Sequence, residues 1–263
     1  EQALKKLFAS YGSAAVAYSG GLDSTYLADV AHEVLGQNAH IIIADSPSIP
    51  RSELKEASEL ARSRGWNLHI MVTEEFKDKA YIQNDGKRCY FCRRGLFSKM
   101  TAYAKEHGVA VITYGAVADD LADATRVGHL AAKEFTVAAP LQEVQLYKAE
   151  IRPLSARRDL PTADKASFAC LASRIPMGTP LSIETLSQVE RVEETLKRLG
   201  FYQYRARHHD DLCRIELDPA NFAKALDPSI REEIVREALA AGYRFVALDL
   251  AGYRTGNMAT PKQ

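Results

Sequence analysis

A chain of 263 residues, 46% hydrophobic and 26% charged, has ordinary globular composition without room for a long disordered tract, and its length suits two modest domains or one large domain with an appended module. Thirty-four Lys and Arg balance thirty-four Asp and Glu, which excludes a global field toward nucleic acid or a membrane surface. No window approaches the roughly 18 apolar residues that span a bilayer, so a soluble cytoplasmic protein is expected.

EQALKKLFASYG at the start reads as a charged helical stretch. Residues 13 to 145 then alternate short apolar runs with amphipathic ones. The runs AAVAY (14 to 18), HIIIA (40 to 44), LHIMV (68 to 72), VAVITYG (109 to 115) and FTVAAPL (135 to 141) have the near-continuous apolar character of strands buried on both faces. Helical patterns run from Thr25 to Leu35, Arg51 to Arg64 and Cys92 to His107. Strand-then-helix order predicts an α/β fold, a doubly wound parallel sheet whose ligand crevice lies at the carboxyl ends of the strands. From Pro176 the pattern changes to helix Ile183 to Leu199, strands 202 to 208 and 212 to 217, helix Ile230 to Ala240 and strand 244 to 250. We therefore expect a nucleotide domain over 1–175 and a smaller α+β domain over 176–263, with RIPMGTPLS (174 to 182) as the hinge.

The turn after the first strand is Ser19-Gly20-Gly21-Leu22-Asp23-Ser24-Thr25. Glycines between a strand and a helix let an anion approach backbone N–H groups, and the hydroxyls of Ser19, Ser24 and Thr25 add donors. No lysine is present, as a Walker A loop needs, and the third glycine of a dinucleotide fingerprint is missing. Asp23 would repel a phosphate unless a divalent cation stands between them, which predicts Mg²⁺ bridging Asp23 and a nucleotide. A tight turn with Asp23 as a helix-entry charge is the plainer alternative. SGGxDS in this context resembles the pyrophosphate loop of the ATP pyrophosphatases, among them GMP synthetase, NAD synthetase, argininosuccinate synthetase and the tRNA-thiolating enzymes. That resemblance implies cleavage of ATP between the α and β phosphates and adenylation of a carbonyl or carboxyl oxygen.

Four cysteines make no disulfide scaffold. Cys89 and Cys92 lie in GKRCYFCRRGLF at the mouth of a helix, and Cys170 lies in the loop SFACLASRIPMG. Cys213 alternates with Ile215 and Leu217 and reads as core. The first three fit a structural zinc site, a thiol–disulfide couple, or an iron–sulfur cluster with one open iron, and spacing alone does not choose. Arg205 and Arg207 share one face of a strand, as phosphate ligands or as a solvated face. His208 and His209 are adjacent, point to opposite faces and cannot readily share a metal.

SGGLDST, CYFC, YGAVADDLADATRVG, APLQEV, YKAEIR, KASFACLASRIPMGTPL and LDLAGYRTGNM, in this order over nearly the whole chain, resemble the LarE family of ATP-dependent sulfur transferases, which help build the nickel-pincer nucleotide cofactor of lactate racemase. The resemblance implies ATP and Mg²⁺ as cofactors and a pyridine dicarboxylic acid mononucleotide as substrate. The carboxylate is adenylated and then receives sulfur. It further implies a 4Fe-4S cluster on Cys89, Cys92 and Cys170 that relays sulfide from a sulfur donor, with sacrifice of Cys170's own sulfur as the other route. Ala44, Asp45 and Ser46 end the second strand, where related enzymes seat adenine. Arg126, Lys148 and Lys165 are candidates for pyrophosphate, Arg174, Glu193, Arg205 and Arg207 for the substrate, and Asp119, Asp120 and Asp123 for metal or loop organisation. Where the family loop has Asn and Arg-Pro-Gly, this chain has Ala118 and Arg126-Val127-Gly128. A homo-oligomer is implied, without a nucleic-acid or membrane partner. The rival functions are a tRNA-thiolating or amide-forming relative and a zinc-tied, nucleotide-responsive scaffold.

Overall fold

The computed structural model of the protein describes residues 1–122, 127–166 and 169–254. In chain order the elements are α1 (Gln2–Tyr11), β1 (Ala14–Tyr18), α2 (Leu22–Leu35), β2 (Ala39–Asp45), α3 (Arg51–Ser63), β3 (Asn67–Val72), α4 (Lys79–Ile82), α5 (Arg88–His107), β4 (Val111–Tyr114), α6 (Gly128–Glu134), α7 (Pro140–Glu143), α8 (Lys148–Arg157), α9 (Ile183–Arg198), β5 (Tyr204–His209), β6 (Leu212–Leu217), α10 (Phe222–Leu226), α11 (Pro228–Ala240) and β7 (Phe245–Leu248). They gather into two compact units. One comprises Glu1–Ser46, Arg51–Asp78 and Lys87–Phe168; the other comprises Pro47–Pro50, Lys79–Gly86 and Ala169–Gln263.

The first unit is built on a parallel sheet in the order β3-β2-β1-β4. Val16 of β1 stands beside Ile41 of β2 on one side and Thr113 of β4 on the other. Successive residues of a strand face opposite sides, and here both sides are covered. Ala14, Val16, Tyr18, Ile41 and Ile43 pack with Leu4 and Phe8 of α1 and with Leu27 and Val30 of α2. Ala15, Ile42, Ile112 and Tyr114 pack with Phe97, Met100 and Ala104 of α5. This two-sided burial is why β1, β2 and β4 read as continuous apolar runs, and it gives the α/β sheet expected from the sequence. β3, at the sheet edge, leaves Ile70 and Val72 exposed and is not buried on both faces as its composition predicts. The chain leaves β1 toward β2 and β3 and returns to β4 on the other side, so the switch in strand order falls at the carboxyl end of β1.

Of the fifth predicted strand, over 135 to 141, a single parallel bridge between Thr113 and Ala138 is formed. Thr136 before it has φ 52°, which breaks the extended run, and Pro140 after it has no N–H for a ladder and instead opens α7. Helix α5 begins at Arg88, four residues before the predicted start. RCYFC contains no breaker, whereas Gly86 just ahead takes φ 90°.

In the second unit β5 and β6 form an antiparallel hairpin, and β7 runs parallel to β6. The two-residue turn Asp210-Asp211 places Asp210 at φ 53°, a left-handed conformation that Asp tolerates better than most residues. Cys213, Ile215 and Leu217 are buried, as the alternation predicts, and so are Leu186, Val189, Val192 and Leu196 of α9 and Ile234 and Ala238 of α11. Ser182 caps α9 by accepting the Thr185 N–H at 3.0 Å. Among the described residues, no helix is long and apolar enough to cross a membrane.

Candidate active site

The loop between β1 and α2 folds on itself. Ser19 N–H donates to Ser24 Oγ at 3.1 Å, the Ser19 and Ser24 hydroxyls lie 2.9 Å apart, and Thr25 N–H reaches the Gly21 carbonyl at 3.0 Å. Gly20 takes φ 71°, and a Cβ there would stand 2.7 Å from Ala57 Cβ of α3. Gly21 is extended and precedes the first turn of α2, which carries Asp23. Ser19, Ser24 and the first amides of a 14-residue helix thus belong to one turn, with a helix start favouring negative charge. Thr25 is fully buried, so its hydroxyl sits inside the first unit rather than on the loop's outer surface.

Gly115, just past β4, packs against the same turn. A Cβ at Gly115 would lie 3.0 Å from Ser24 N and Cα. Because those are backbone atoms that cannot swing away, Gly115→Ala is expected to displace the loop and cost about 1–3 kcal/mol of stability, with weaker ATP binding. Calorimetric titration with ATP alongside a thermal melt checks both.

Two lysines flank the loop. Lys148, first residue of α8, places Nζ 3.6 Å from Asp23 Oδ2, and its backbone N–H donates to Asp119 Oδ2 at 2.8 Å. Lys165 places Nζ 2.5 Å from Glu53 Oε2, 3.7 Å from Glu56 Oε2 and 3.4 Å from the Gly20 carbonyl. A carboxylate and two hydroxyls are hard oxygen donors suited to Mg²⁺, and ammonium groups suit phosphate charge. At the end of β2, Asp45 pairs with Arg51 at 2.5 Å, and Arg51 also holds the Ser46 carbonyl. The Ser46 side chain is buried and donates to Glu75, while Ala44 keeps partial exposure. Asp120 accepts the Val117 N–H at 3.1 Å, so one acid of the DD pair organises its own loop. Arg126 and Asp123 lie outside the described residues.

Cys89, exposed, and Cys92, half-buried, stand one turn apart at the start of α5 in the first unit. In the second unit Cys170 is half-buried and directly precedes a short helical turn, Leu171–Arg174. Arg174 is completely enclosed. Its Nε and Nη2 meet the two Glu193 oxygens at 2.8 and 2.9 Å, and Nη1 meets the carbonyls of Ala169 and Cys170 and the Ser173 hydroxyl at 2.6, 3.1 and 2.8 Å. Burial opposes the guanidinium charge, yet Glu193 more than offsets this and holds its pKa above the ordinary range. Glu193 Oε1 also accepts the Ala206 N–H at 3.0 Å.

Neither Arg205 nor Arg207 lies on a solvated face; their exposures are 7% and 5%. Arg207 pairs with Glu216 at 2.8 Å and donates to the Ser173 carbonyl at 3.1 Å. Arg205 stacks 5.0 Å from the Tyr253 ring centroid, its pKa depressed by burial and then by the nearby Arg174 charge. Two arginines, 174 and 207, therefore grip the loop that carries Cys170. Burial pushes the Cys213 thiol up to about 12, as befits an inert core residue. Thiols are suitable donors for iron, but each unit alone offers fewer than three of them. Among the described residues, no group of three or more His, Cys, Asp or Glu side chains is gathered to hold a metal.

No family model matches the chain. It is 39% identical over 255 residues to an uncharacterized protein of Synechocystis sp., covering 97% of this chain and 95% of that one. It is 32% identical over 244 residues to pyridinium-3,5-bisthiocarboxylic acid mononucleotide synthase of Lactiplantibacillus plantarum, covering 92% and 87%. One component of the glutamine-hydrolyzing GMP synthase of Thermococcus kodakarensis is 25% identical over 219 residues, covering 74% and 68%.

Proposed function

The chain belongs to the LarE family of ATP-dependent sulfur transferases, and from that membership we propose that it adenylates a carboxylate of pyridinium-3,5-biscarboxylic acid mononucleotide and replaces its oxygen with sulfur. The observation that carries the reading is the self-bonded Ser19–Ser24 loop at the start of α2, with Asp23 and Lys148 beside it. A carboxylate oxygen attacks the α-phosphorus of ATP and pyrophosphate departs. The amides at the start of α2, the Ser19 and Ser24 hydroxyls and Lys148 receive its charge. Mg²⁺, held by Asp23, would neutralise part of that charge. Sulfide then attacks the acyl carbon and AMP leaves with the electron pair of the broken C–O bond.

In the same reading the adenine sits at the end of β2 near Ala44 and Ser46, Arg126 assists with the phosphates, and Arg205 and Arg207 take the substrate phosphate. Arg174 and Glu193 hold the Cys170 loop in shape. Cys89, Cys92 and Cys170 would hold a 4Fe-4S cluster supplying an iron open to sulfide from a donor; soft thiol donors and the resemblance support this ligand set. Residues 1–175 handle the nucleotide and 176–263 the substrate and homo-oligomer contacts, and the protein serves lactate racemase maturation in the cytoplasm.

The test combines turnover with metal analysis. Anaerobically purified protein given ATP, Mg²⁺, sulfide and the dicarboxylate mononucleotide is expected to release AMP and pyrophosphate in equal amounts and to form a thiocarboxylate visible by mass spectrometry. Release with ammonia, and an amide product instead, would favour the chemistry of the GMP synthase relatives. About four irons per chain, lost in Cys89→Ala, Cys92→Ala and Cys170→Ala, are expected for the cluster. An iron-free parent that resists reconstitution, with Cys170 converted to dehydroalanine after one turnover, would establish the sacrificial route.

A further inference from the structure

The two residues between the paired thiols are both aromatic, and both are clamped. Arg94 lies four residues after Tyr90 and three after Phe91, the spacings at which side chains of a helix meet, and long side chains of a helix lean back toward its N-terminus. Its guanidinium carbon stands 5.0 Å from the Phe91 ring centroid and 5.7 Å from that of Tyr90. The rings themselves meet edge to face at 5.2 Å and 69°. Arg94 is anchored beyond the helix, where Nη2 donates to Asp78 Oδ2 at 2.7 Å. Tyr90 is fixed at its far end too, its hydroxyl donating to Glu134 Oε2 of α6 at 2.7 Å.

The turn carrying Cys89 and Cys92 is therefore held from outside the helix at two points, by Asp78 through Arg94 and by α6 through Tyr90. We propose that Arg94, anchored by Asp78, is a positioning residue that fixes the relative presentation of the Cys89 and Cys92 thiols by stacking on the two rings between them. The proposal rests on the reading that these thiols perform sulfur chemistry, but its geometry belongs to the first unit alone. The ion pair is partly exposed and by itself contributes little, so the orienting effect comes from the stack. A lysine at 94 would keep the charge and the reach to Asp78 but lose the planar face.

The experiment is site-resolved alkylation. Reduced, full-length parent, Arg94→Ala, Arg94→Lys and Asp78→Asn proteins are treated with iodoacetamide, and the rate at each cysteine is read by mass spectrometry. The ratio of the Cys89 rate to the Cys92 rate is expected to change about three-fold in both Arg94 variants and by less in Asp78→Asn, with the Cys170 and Cys213 rates unchanged. A parent-like ratio in Arg94→Ala overturns the proposal. So does a uniform rise at all four cysteines including the core residue Cys213, which reports general loosening instead of a re-aimed pair. Thiocarboxylate formation tests the functional reading and the alkylation ratio tests this one, so either can fail alone.

Discussion

Asp23→Asn is expected to lower substrate-dependent pyrophosphate release by at least about 100-fold at saturating ATP. Asp23 is the one carboxylate between Ser19 and Thr25, and the amide keeps its shape while removing the negative charge that a divalent cation needs. Lys148, 3.6 Å away, keeps its backbone tie to Asp119 in the variant, so the cradle itself should persist. The melting temperature should accordingly move by no more than about 3 °C, because the lost ion pair is partly exposed. The decisive measurement is initial rate across a Mg²⁺ titration. A variant retaining a tenth or more of the parent rate at the same Mg²⁺ concentration would remove Asp23 from the metal role.

Glu193→Leu should produce the largest stability loss. It leaves Arg174, which has no solvent exposure, without its bidentate partner, and it strands the Ala206 N–H as well. Breaking a buried pair from one side costs about 3–5 kcal/mol, which for a chain of this size is a fall in melting temperature of roughly 10 °C. Pairing the change with Arg174→Met should recover part of that loss, since two apolar side chains leave no uncompensated charge. Equal melting temperatures for the single and double variants would mean that the pair is not the source of the cost. The Cys170 loop should suffer in both, because Arg174 also holds the carbonyls of Ala169 and Cys170. Thiol accessibility at Cys170 is the readout for that part.

How far the sequence can be read depends on whether a feature is local. The alternation of short apolar runs and helical patterns is a property of neighbouring residues, and it leads directly to β1 through β4 and their helices. The same pattern overreaches at 135 to 141, where composition suits a strand but the left-handed Thr136 and the missing Pro140 N–H leave a single bridge. The glycine turn with Asp23 is equally visible, since a strand, a turn and a helix start occupy a dozen consecutive positions. Its surroundings are legible only in part, because the resemblance names Lys148 and Lys165 but not the groups they meet. Glu53 meets Lys165, and Lys148 meets Asp23, across separations that carry no periodic signal. Gly115 stands out only once Ser24 is seen behind it. Arg205 and Arg207 show the limit from the other side, because alternation placed them on one strand face correctly but could not supply Glu216 and Tyr253 as the groups enclosing that face.

The second unit draws on segments from far apart in the chain, and this has a consequence for how the protein is made. Pro47–Pro50 and Lys79–Gly86 emerge from the ribosome long before the rest of their unit. The Ser48 carbonyl awaits the Leu171 N–H, the Ile82 carbonyl awaits Leu181, and the Asn84 side-chain amide awaits the Pro176 and Thr179 carbonyls, 92 and 95 positions later. At about 5–20 residues per second, those early pieces wait on the order of ten seconds for partners while β1 to β4 are already complete. Contacts of such long range are the slow ones to form. A nascent chain should thus pass through a stage in which the parallel sheet resists protease while its two outlying tracts are cleavable. For the same reason, no single cut in the gene yields two fragments that each contain a whole unit.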